Sequence, residues 1–151
     1  MHSASTTPQE FLSFTLGGLE YGLDCAKVQE LKPLKSLERF AADGEIIGGV
    51  ALSRGVILPV VDLRAAFAPG VAAPHPDTEV MIVRLASCLA GLVVEEVGDV
   101  VRLSTAQIVA LPGAHHADYL IGMGVSQQRR LVLVDIDRLM SLAPKQPKRA
   151  A

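Results

Sequence analysis

The stretch GVALSRGVILPVVDLR, residues 49–64, decides the fold class of this chain. An apolar run surrounds Pro59, an Arg-Gly pair at 54–55 precedes it, and the tripeptide DLR at 62–64 closes it. Proline has no backbone N–H to donate to a neighbouring strand, so within a strand it is expected at a sheet edge or a bulge. The stretch therefore predicts either an ordinary edge strand or a strand that bends where two barrels meet, and spacing alone favours neither.

Short apolar or alternating segments continue on both sides of this stretch. Residues 10–16, EFLSFTL, alternate as a half-buried strand does, and Gly17-Gly18 predicts a hairpin that returns through residues 19–25. Further strands are predicted at 79–85, 88–97, 99–103, 119–125 and 131–136. A series of short strands with frequent glycine is typical of an all-β fold.

Short helices are predicted at two places, and STAQIV at 104–109 is predicted as a short turn or helical piece. The segment AKVQELK, residues 26–32, is compatible with a short helix that Pro33 stops. The last element, residues 137–142, is predicted as a second short helix, with Asp135 close enough to its start to act as a cap.

Two of the predicted strands are apolar on both faces, namely VILPVV at 56–61 and VMIV at 80–83. A simple barrel has one face towards solvent, so strands of this kind need cover on both sides. Two small barrels that share a central wall would provide that cover.

The composition limits the classes of function. The chain has 151 residues, half of them hydrophobic, which suits one domain or two subdomains with a common core. A net charge of −2 argues against electrostatic capture of nucleic acid. Two Tyr, four Phe and no Trp argue against an aromatic peptide groove or a base-stacking platform.

The chain carries no predicted targeting or membrane segment. Its first nine residues are polar, and no apolar run approaches the roughly 18 residues that a membrane helix needs. We therefore expect a cytoplasmic protein with flexible tails at 1–9 and 143–151. Cys25 and Cys88 lie in apolar patterns and are expected to be buried free thiols, although a disulfide between them stays open.

Several ordered segments resemble the CheW family, the coupling proteins of bacterial chemosensory arrays. FTLGGLEYGLDCAKVQEL at 14–31 is similar to the family's first hairpin and the short helix after it. The opening stretch is similar to its G-V-x-N-L-R-G-x-I-x-P-V-x-D-L-R pattern. AGLVVEEVGDVVRL at 90–103 resembles its G-L-V-V-D-x-V-x-D-V segment. YLIGMGV at 119–125 and LVLVDIDRLM at 131–140 resemble its closing hairpin and helix. Several motifs in order are more specific than one.

The resemblance implies a fold and a role. The fold would be two five-stranded barrels of the Src-homology type around a shared hydrophobic seam over residues 10–142, with the passage between them near 56–65. The role would be that of an adaptor without enzymatic activity or cofactor. It would bind the cytoplasmic tip of a chemoreceptor and the regulatory domain of a CheA-type histidine kinase.

The resemblance also implies receptor-contact residues, which are Val28, Glu30 and Arg54 in this chain. Kinase-contact residues are not assigned. The chain departs from the family pattern at Leu52-Ser53, where the family has Asn-Leu, and the loop LERFAADGE at 37–45 lacks the usual prolines. Both departures lie next to the implied receptor site, so receptor choice is expected to differ.

Two alternatives remain at this point. A metal-dependent enzyme could be assembled from His75, Asp77, His115-His116 and the acidic pair at 135–137, but these residues show no recognised ligand spacing. A small-barrel interaction module of another pathway, such as twitching or surface sensing, is the second alternative. The sequence does not name the receptor or the stoichiometry of an array.

Overall fold

The computed structural model describes residues 7–39, 49–53, 55–64, 75–111 and 119–142. Within these ranges the chain forms twelve strands in two sheets. The strands are β1 (Gln9–Leu16), β2 (Leu19–Asp24), β3 (Val28–Pro33), β4 (Glu38–Arg39), β5 (Gly49–Ser53), β6 (Val56–Asp62), β7 (Glu79–Arg84), β8 (Leu89–Val93), β9 (Glu96–Leu103), β10 (Ile108–Val109), β11 (Leu120–Ser126) and β12 (Arg129–Val134). The predicted all-β fold is confirmed.

Each sheet consists of five longer strands and one strand of two residues. The first sheet has the order β10-β11-β12-β2-β1-β9, and the second has the order β3-β7-β8-β6-β5-β4. Most neighbours are antiparallel, but β12 runs parallel to β2 and β6 runs parallel to β8. The prediction of two small five-stranded barrels is confirmed, with β10 and β4 as short additions.

Helical structure is confined to short pieces. Helix α1 (Ile136–Leu142) follows β12, and the main-chain N–H of Arg138 donates to Asp135 Oδ1 at 3.2 Å, which confirms the predicted cap. Three-residue 3₁₀ turns occupy Cys25–Lys27, Leu34–Ser36 and Thr105–Gln107. No helix in the described part of the chain is long and apolar enough to span a membrane.

The predicted first hairpin is also confirmed. β1 and β2 pair in register from Phe11–Asp24 to Leu16–Leu19. Gly17 and Gly18, with φ of 59° and 82°, form the two-residue turn between them. Positive φ at both central positions matches the right-handed twist of the flanking strands, and glycine adopts it without steric cost.

Three apolar clusters form the interior. One is enclosed by the first sheet and includes Phe11, Leu103 and Leu131, and a second is enclosed by the second sheet and includes Leu58 and Ile82. The largest cluster lies between the sheets and takes residues from both, as listed here: Leu12, Phe14, Leu16, Tyr21, Leu23, Leu63, Met81, Val83, Ala90, Leu92, Val94, Val134, Ile136 and Leu139. The predicted shared seam is therefore present.

Strand β7 shows why its sequence lacks a polar face. Val80 and Ile82 point into the second barrel, whereas Met81 and Val83 point into the shared cluster. All four side chains are at most 1% exposed. A strand with a core on each side has no wet face, as the apolar run VMIV predicts.

The chain does not change sheets where the sequence placed the passage. β6 covers most of residues 56–65 and pairs with β5 and β8 inside the second sheet. The chain instead enters the second sheet through Cys25–Lys27 and returns to the first after Val94, before β9. The predicted passage near 56–65 is therefore wrong, because β6 stays within the second sheet along its whole length.

Pro59 lies at a point where the pairing of β6 changes. It faces Val50 of β5, but pairing with β8 begins only one residue later, at Val60 and Gly91. Among the described residues, the first half of β6 thus pairs on one side only, and the missing N–H of proline is tolerated there. Of the two alternatives for Pro59, the local edge is the one that the structure shows.

The helix predicted over residues 26–32 is corrected. A single 3₁₀ turn covers Cys25–Lys27, closed by Asp24 Oδ1, which accepts a hydrogen bond from the N–H of Ala26 at 2.9 Å. The rest of the segment is strand β3, which pairs with β7. Long-range backbone pairing outweighs the weak local preference for a helix.

The cysteines differ from expectation as well. Both are free thiols, but Cys25 is only partly buried and Cys88 is exposed in the turn between β7 and β8. Burial raises the pKa of the Cys25 thiol. Residues 1–6 and 143–151 of the predicted tails lie outside the described residues.

Candidate functional site

Strand β3 carries two of the three predicted site residues and forms one edge of the second sheet. It pairs with β7 and, among the described residues, with no second strand. Val28 and Glu30 are partly buried, whereas Gln29 and Leu31 are exposed. An edge strand of this kind offers both free backbone groups and a row of side chains to a partner.

A register shift separates the two predicted residues. Val28 faces Val83 of β7, but Glu30 already faces Ile82, so β3 has one extra residue at Gln29. Such a bulge bends the strand locally and re-aims the neighbouring side chains. Arg84 Nη1 donates to Gln29 Oε1 at 3.1 Å and ties the bulge to β7.

The start of β3 is tied to two other elements by one carboxylate. Lys27 Nζ donates to Asp137 Oδ2 at 2.8 Å, and the N–H of Ala86 donates to Asp137 Oδ1 at 2.8 Å. The hydrogen bond to Asp137 is the main reason that the pKa of Lys27 is raised, and the same bond lowers the pKa of Asp137. Asp137 therefore joins α1, the β7–β8 turn and the entry to β3.

Sequence reasoning missed Leu31. Its side chain is 46% exposed on the open edge strand, next to Glu30. A helix over 26–32 gives no reason to place Leu31 on the surface. Reading residues 28–33 as a strand would have allowed a surface position for Leu31. Strict period two would still have misplaced Glu30, because the bulge at Gln29 puts Val28 and Leu31 on one face, opposite Val83 and Met81, and Glu30 on the other face, opposite Ile82.

The third predicted residue, Arg54, lies outside the described residues, as do the side chains of Leu52 and Ser53. Gly55, with φ of 78°, directly precedes β6. The first two residues of β6, Val56 and Ile57, are 45% and 66% exposed. The implied receptor role of Arg54 stays a prediction.

The tripeptide that ends the opening stretch has a structural role. Arg64 Nε donates to Asp62 Oδ1 at 3.0 Å, and Arg64 Nη2 donates to Asp62 Oδ2 at 2.9 Å. Asp62 is 4% exposed, and the hydrogen bond to it is the main cause of the raised pKa of Arg64. This two-point pair is the geometry expected of a buried arginine–carboxylate contact, and it orders the chain after β6.

The described residues that were considered for a metal site make separate local contacts. His75 Nδ1 accepts a hydrogen bond from the N–H of Asp77 at 3.0 Å, and Asp77 pairs with Lys35 at 2.9 Å. Asp135 caps α1. Within the described ranges no group of three His, Cys, Asp or Glu side chains is arranged to hold a metal ion, and His115-His116 lie outside those ranges.

The fold and this edge strand define a small double-barrel interaction protein, and comparisons give its family. A family model described as CheW-like domain matches residues 10–143. The chain is 39% identical over 142 residues to Chemotaxis protein CheW of Klebsiella aerogenes, which covers 92% of this chain and 86% of that protein. It is 30% identical over 139 residues to Protein FrzA of Myxococcus xanthus, which covers 89% and 87%.

A solved structure agrees with these matches. The crystal structure of scaffolding protein TtCheW from Thermoanaerobacter tengcongensis superposes with a TM-score of 0.77 at 25% identity, covering 93% of this chain and 98% of that one. The chain belongs to the family of CheW-like domains. It is a protein of the chemotaxis scaffold and adaptor class.

Proposed function

We propose that this protein acts in the cytoplasm as an adaptor that couples the tips of chemoreceptors to a CheA-type histidine kinase, without catalytic activity of its own. The observation that carries the proposal is the family match over residues 10–143. The open edge strand β3 supports it, because such an edge provides a docking surface without any reactive group.

The receptor side of the adaptor is assigned to Val28, Glu30 and Arg54, with Leu31 added from the structure. Val28 and Leu31 supply apolar contact area, and Glu30 supplies a carboxylate beside them. A guanidinium such as that of Arg54 presents a planar set of donors that fits carboxylates and carbonyl oxygens of a helical tip. Kinase-contact residues stay unassigned.

The shared core provides the rigidity that such an adaptor needs. The largest apolar cluster takes residues from both sheets, so the two barrels are held in one relative orientation. A receptor bound to one surface and a kinase bound to another would then be held at a defined distance. Each contact is expected to bury about 1,200 Å² or less, and repeated contacts in an array would provide persistence.

The test is titration of the full-length protein with a cognate receptor-tip fragment and, separately, with the kinase regulatory domain. We expect Val28→Asp, Leu31→Asp and Arg54→Glu to weaken receptor binding by about tenfold or more, because each places a charge or reverses one at the contact. Kinase binding should not change. Because Val28 packs against the shared cluster, Val28→Asp counts as evidence only where its circular dichroism spectrum matches that of the unaltered protein, whereas exposed Leu31 provides a substitution without that cost.

Matched controls are available on the first sheet. Val109 is 44% exposed on β10, and Arg102 is exposed on β9, where it pairs with Glu10. Val109→Asp and Arg102→Glu should bind the receptor fragment as the unaltered protein does. Normal receptor binding by all three β3 and Arg54 variants would contradict the assigned surface, and no binding of either partner by the unaltered protein would contradict the adaptor function.

A further inference from the structure

Asp137, at the start of helix α1, contacts the turn before β3 and the turn after β7, at the end of these strands where the proposed receptor-contact residue Val28 lies. Lys27, which Asp137 Oδ2 holds at 2.8 Å, directly precedes Val28. Ala86, whose N–H is held by Asp137 Oδ1, follows the end of β7, on which Val83 faces Val28. The two oxygens of one carboxylate thus hold the two paired strands at the same end.

The helix that carries Asp137 is itself well anchored. Its neighbour Ile136 is 3% exposed and belongs to the shared cluster, as does Leu139. The N–H of Asp135 donates to the carbonyl oxygen of Tyr119 at 2.7 Å. A carboxylate on this anchored helix can hold the start of β3 in place, a strand that pairs only with β7 within the described part of the chain.

A second side-chain bond holds the residue on the other side of Val28. The contact of Arg84 with Gln29 ties the bulge to β7 at 3.1 Å, so both chain neighbours of Val28 are restrained. The local position of Val28 is therefore set by side-chain bonds in addition to the strand ladder. Side-chain restraints of this kind reduce the conformational entropy that this segment loses when a partner binds.

We propose that Asp137 is a positioning residue for the receptor contact, acting through Lys27 on the start of β3. This inference rests on the proposed receptor function of β3. Asp137 itself does not need to touch the receptor. Loss of its negative charge should loosen the start of β3 and weaken receptor binding while the kinase contact persists.

The test uses the full-length protein with Asp137→Asn, Lys27→Met, the double variant and the conservative Lys27→Arg. Asp137→Asn keeps an oxygen that can accept from Ala86, so it removes mainly the ion pair. We expect Asp137→Asn and Lys27→Met each to weaken binding of the receptor-tip fragment by about two- to fivefold. The double variant should lose no more than either single one, and Lys27→Arg should bind within twofold of the unaltered protein.

The chain contains a matched control pair. Lys35 Nζ and Asp77 Oδ1 are 2.9 Å apart beyond the other end of β3, with side chains 62% and 65% exposed, against 39% and 32% for Lys27 and Asp137. Lys35→Met and Asp77→Asn should leave receptor binding unchanged. Hydrogen exchange in the free protein should be faster over β3 in Asp137→Asn and Lys27→Met but not in the control variants.

The outcomes separate this inference from the proposed function. If the unaltered protein binds the receptor fragment and Asp137→Asn does so equally well, Asp137 has no positioning role although the adaptor function stands. A parallel loss of receptor and kinase binding with a lower melting temperature would show a purely structural role and overturn the inference. If the unaltered protein does not bind the receptor fragment, the proposed function fails, and unchanged exchange over β3 would overturn the positioning role separately.

Discussion

Ser13 and Asp99 show how single residues join the strands of the first barrel. Ser13 is fully buried, and its Oγ donates to Asp99 Oδ1 at 3.0 Å and accepts from the N–H of Asp99 at 2.9 Å. Arg129 donates to both Asp99, at 2.9 Å, and Glu20, at 2.8 Å. The hydrogen bonds from Arg129 and then Ser13 hold the pKa of Asp99 down to about 2. Four strands meet in this one network.

Gly98 is the residue that makes this network sterically possible. β9 has two residues, Gly98 and Asp99, opposite Ser13, which is a β-bulge. A Cβ on Gly98 would lie 2.3 Å from Ser13 Oγ. We expect Gly98→Ala to lower the free energy of unfolding by about 1–3 kcal/mol, measured by urea denaturation.

The background variant Ser13→Ala makes that prediction specific. The next atoms near the added Cβ lie at 3.5 Å, an ordinary contact, so removal of the hydroxyl should remove the clash. The cost of Gly98→Ala should then fall below about 1 kcal/mol. An equal cost in both backgrounds would mean that the bulge itself, and not the hydroxyl, requires glycine.

At the scale of an element, β6 combines an edge and an interior position in seven residues. In the described ranges its first half pairs with β5 alone, and pairing on both sides starts at Val60. The position of Pro59 one residue earlier follows from this change, since proline cannot supply a ladder N–H. The strand is therefore tolerant of proline at 59 and intolerant of it one residue later.

Moving the proline tests this account of β6. Pro59→Ala should lower the free energy of unfolding by less than about 1 kcal/mol, chiefly because the unfolded chain gains freedom. Val60→Pro should cost several times more, because Val60 pairs with Gly49 and with Gly91. Val60→Ala reports the packing loss alone. Equal costs for Val60→Pro and Val60→Ala, by urea denaturation, would contradict the account.

For the whole molecule, the cluster between the sheets takes side chains from both, so we expect the two barrels to unfold as one cooperative unit. Leu92, in β8 of the second sheet, is fully buried in this cluster among side chains of β1 and β2. Leu131, also fully buried, belongs to the cluster inside the first barrel. Cavities at these two positions should therefore destabilise different sets of strands.

Hydrogen exchange can show which strands each cavity destabilises. Leu92→Ala and Leu131→Ala should each lower the free energy of unfolding by about 2–5 kcal/mol. Leu92→Ala should accelerate exchange in strands of both sheets, whereas Leu131→Ala should accelerate it mainly in strands of the first sheet. Faster exchange confined to the second sheet in Leu92→Ala would show that the barrels unfold independently.

Much of the fold could be predicted because its signals are local. The Gly17-Gly18 turn, the alternation of residues 10–16 and the cap at Asp135 each depend on a few consecutive residues. Two strands apolar on both faces predicted the shared wall. β7 confirms it with a core on each side, whereas β6 begins with the exposed residues Val56 and Ile57. Resemblance in several ordered motifs supplied the family and Val28 and Glu30 as candidate site residues.

The sequence by itself determined the all-β class, the hairpins, the family and the need for two buried faces, since hydrophobic period and turn chemistry act over short distances. Only the tertiary structure decided that residues 28–33 form a strand, that the chain changes sheets at 25–27 and after 94, and that Lys27 meets Asp137, 110 positions away. These features depend on which backbone edge or charge comes alongside once the chain is folded. No window of neighbouring residues contains that information.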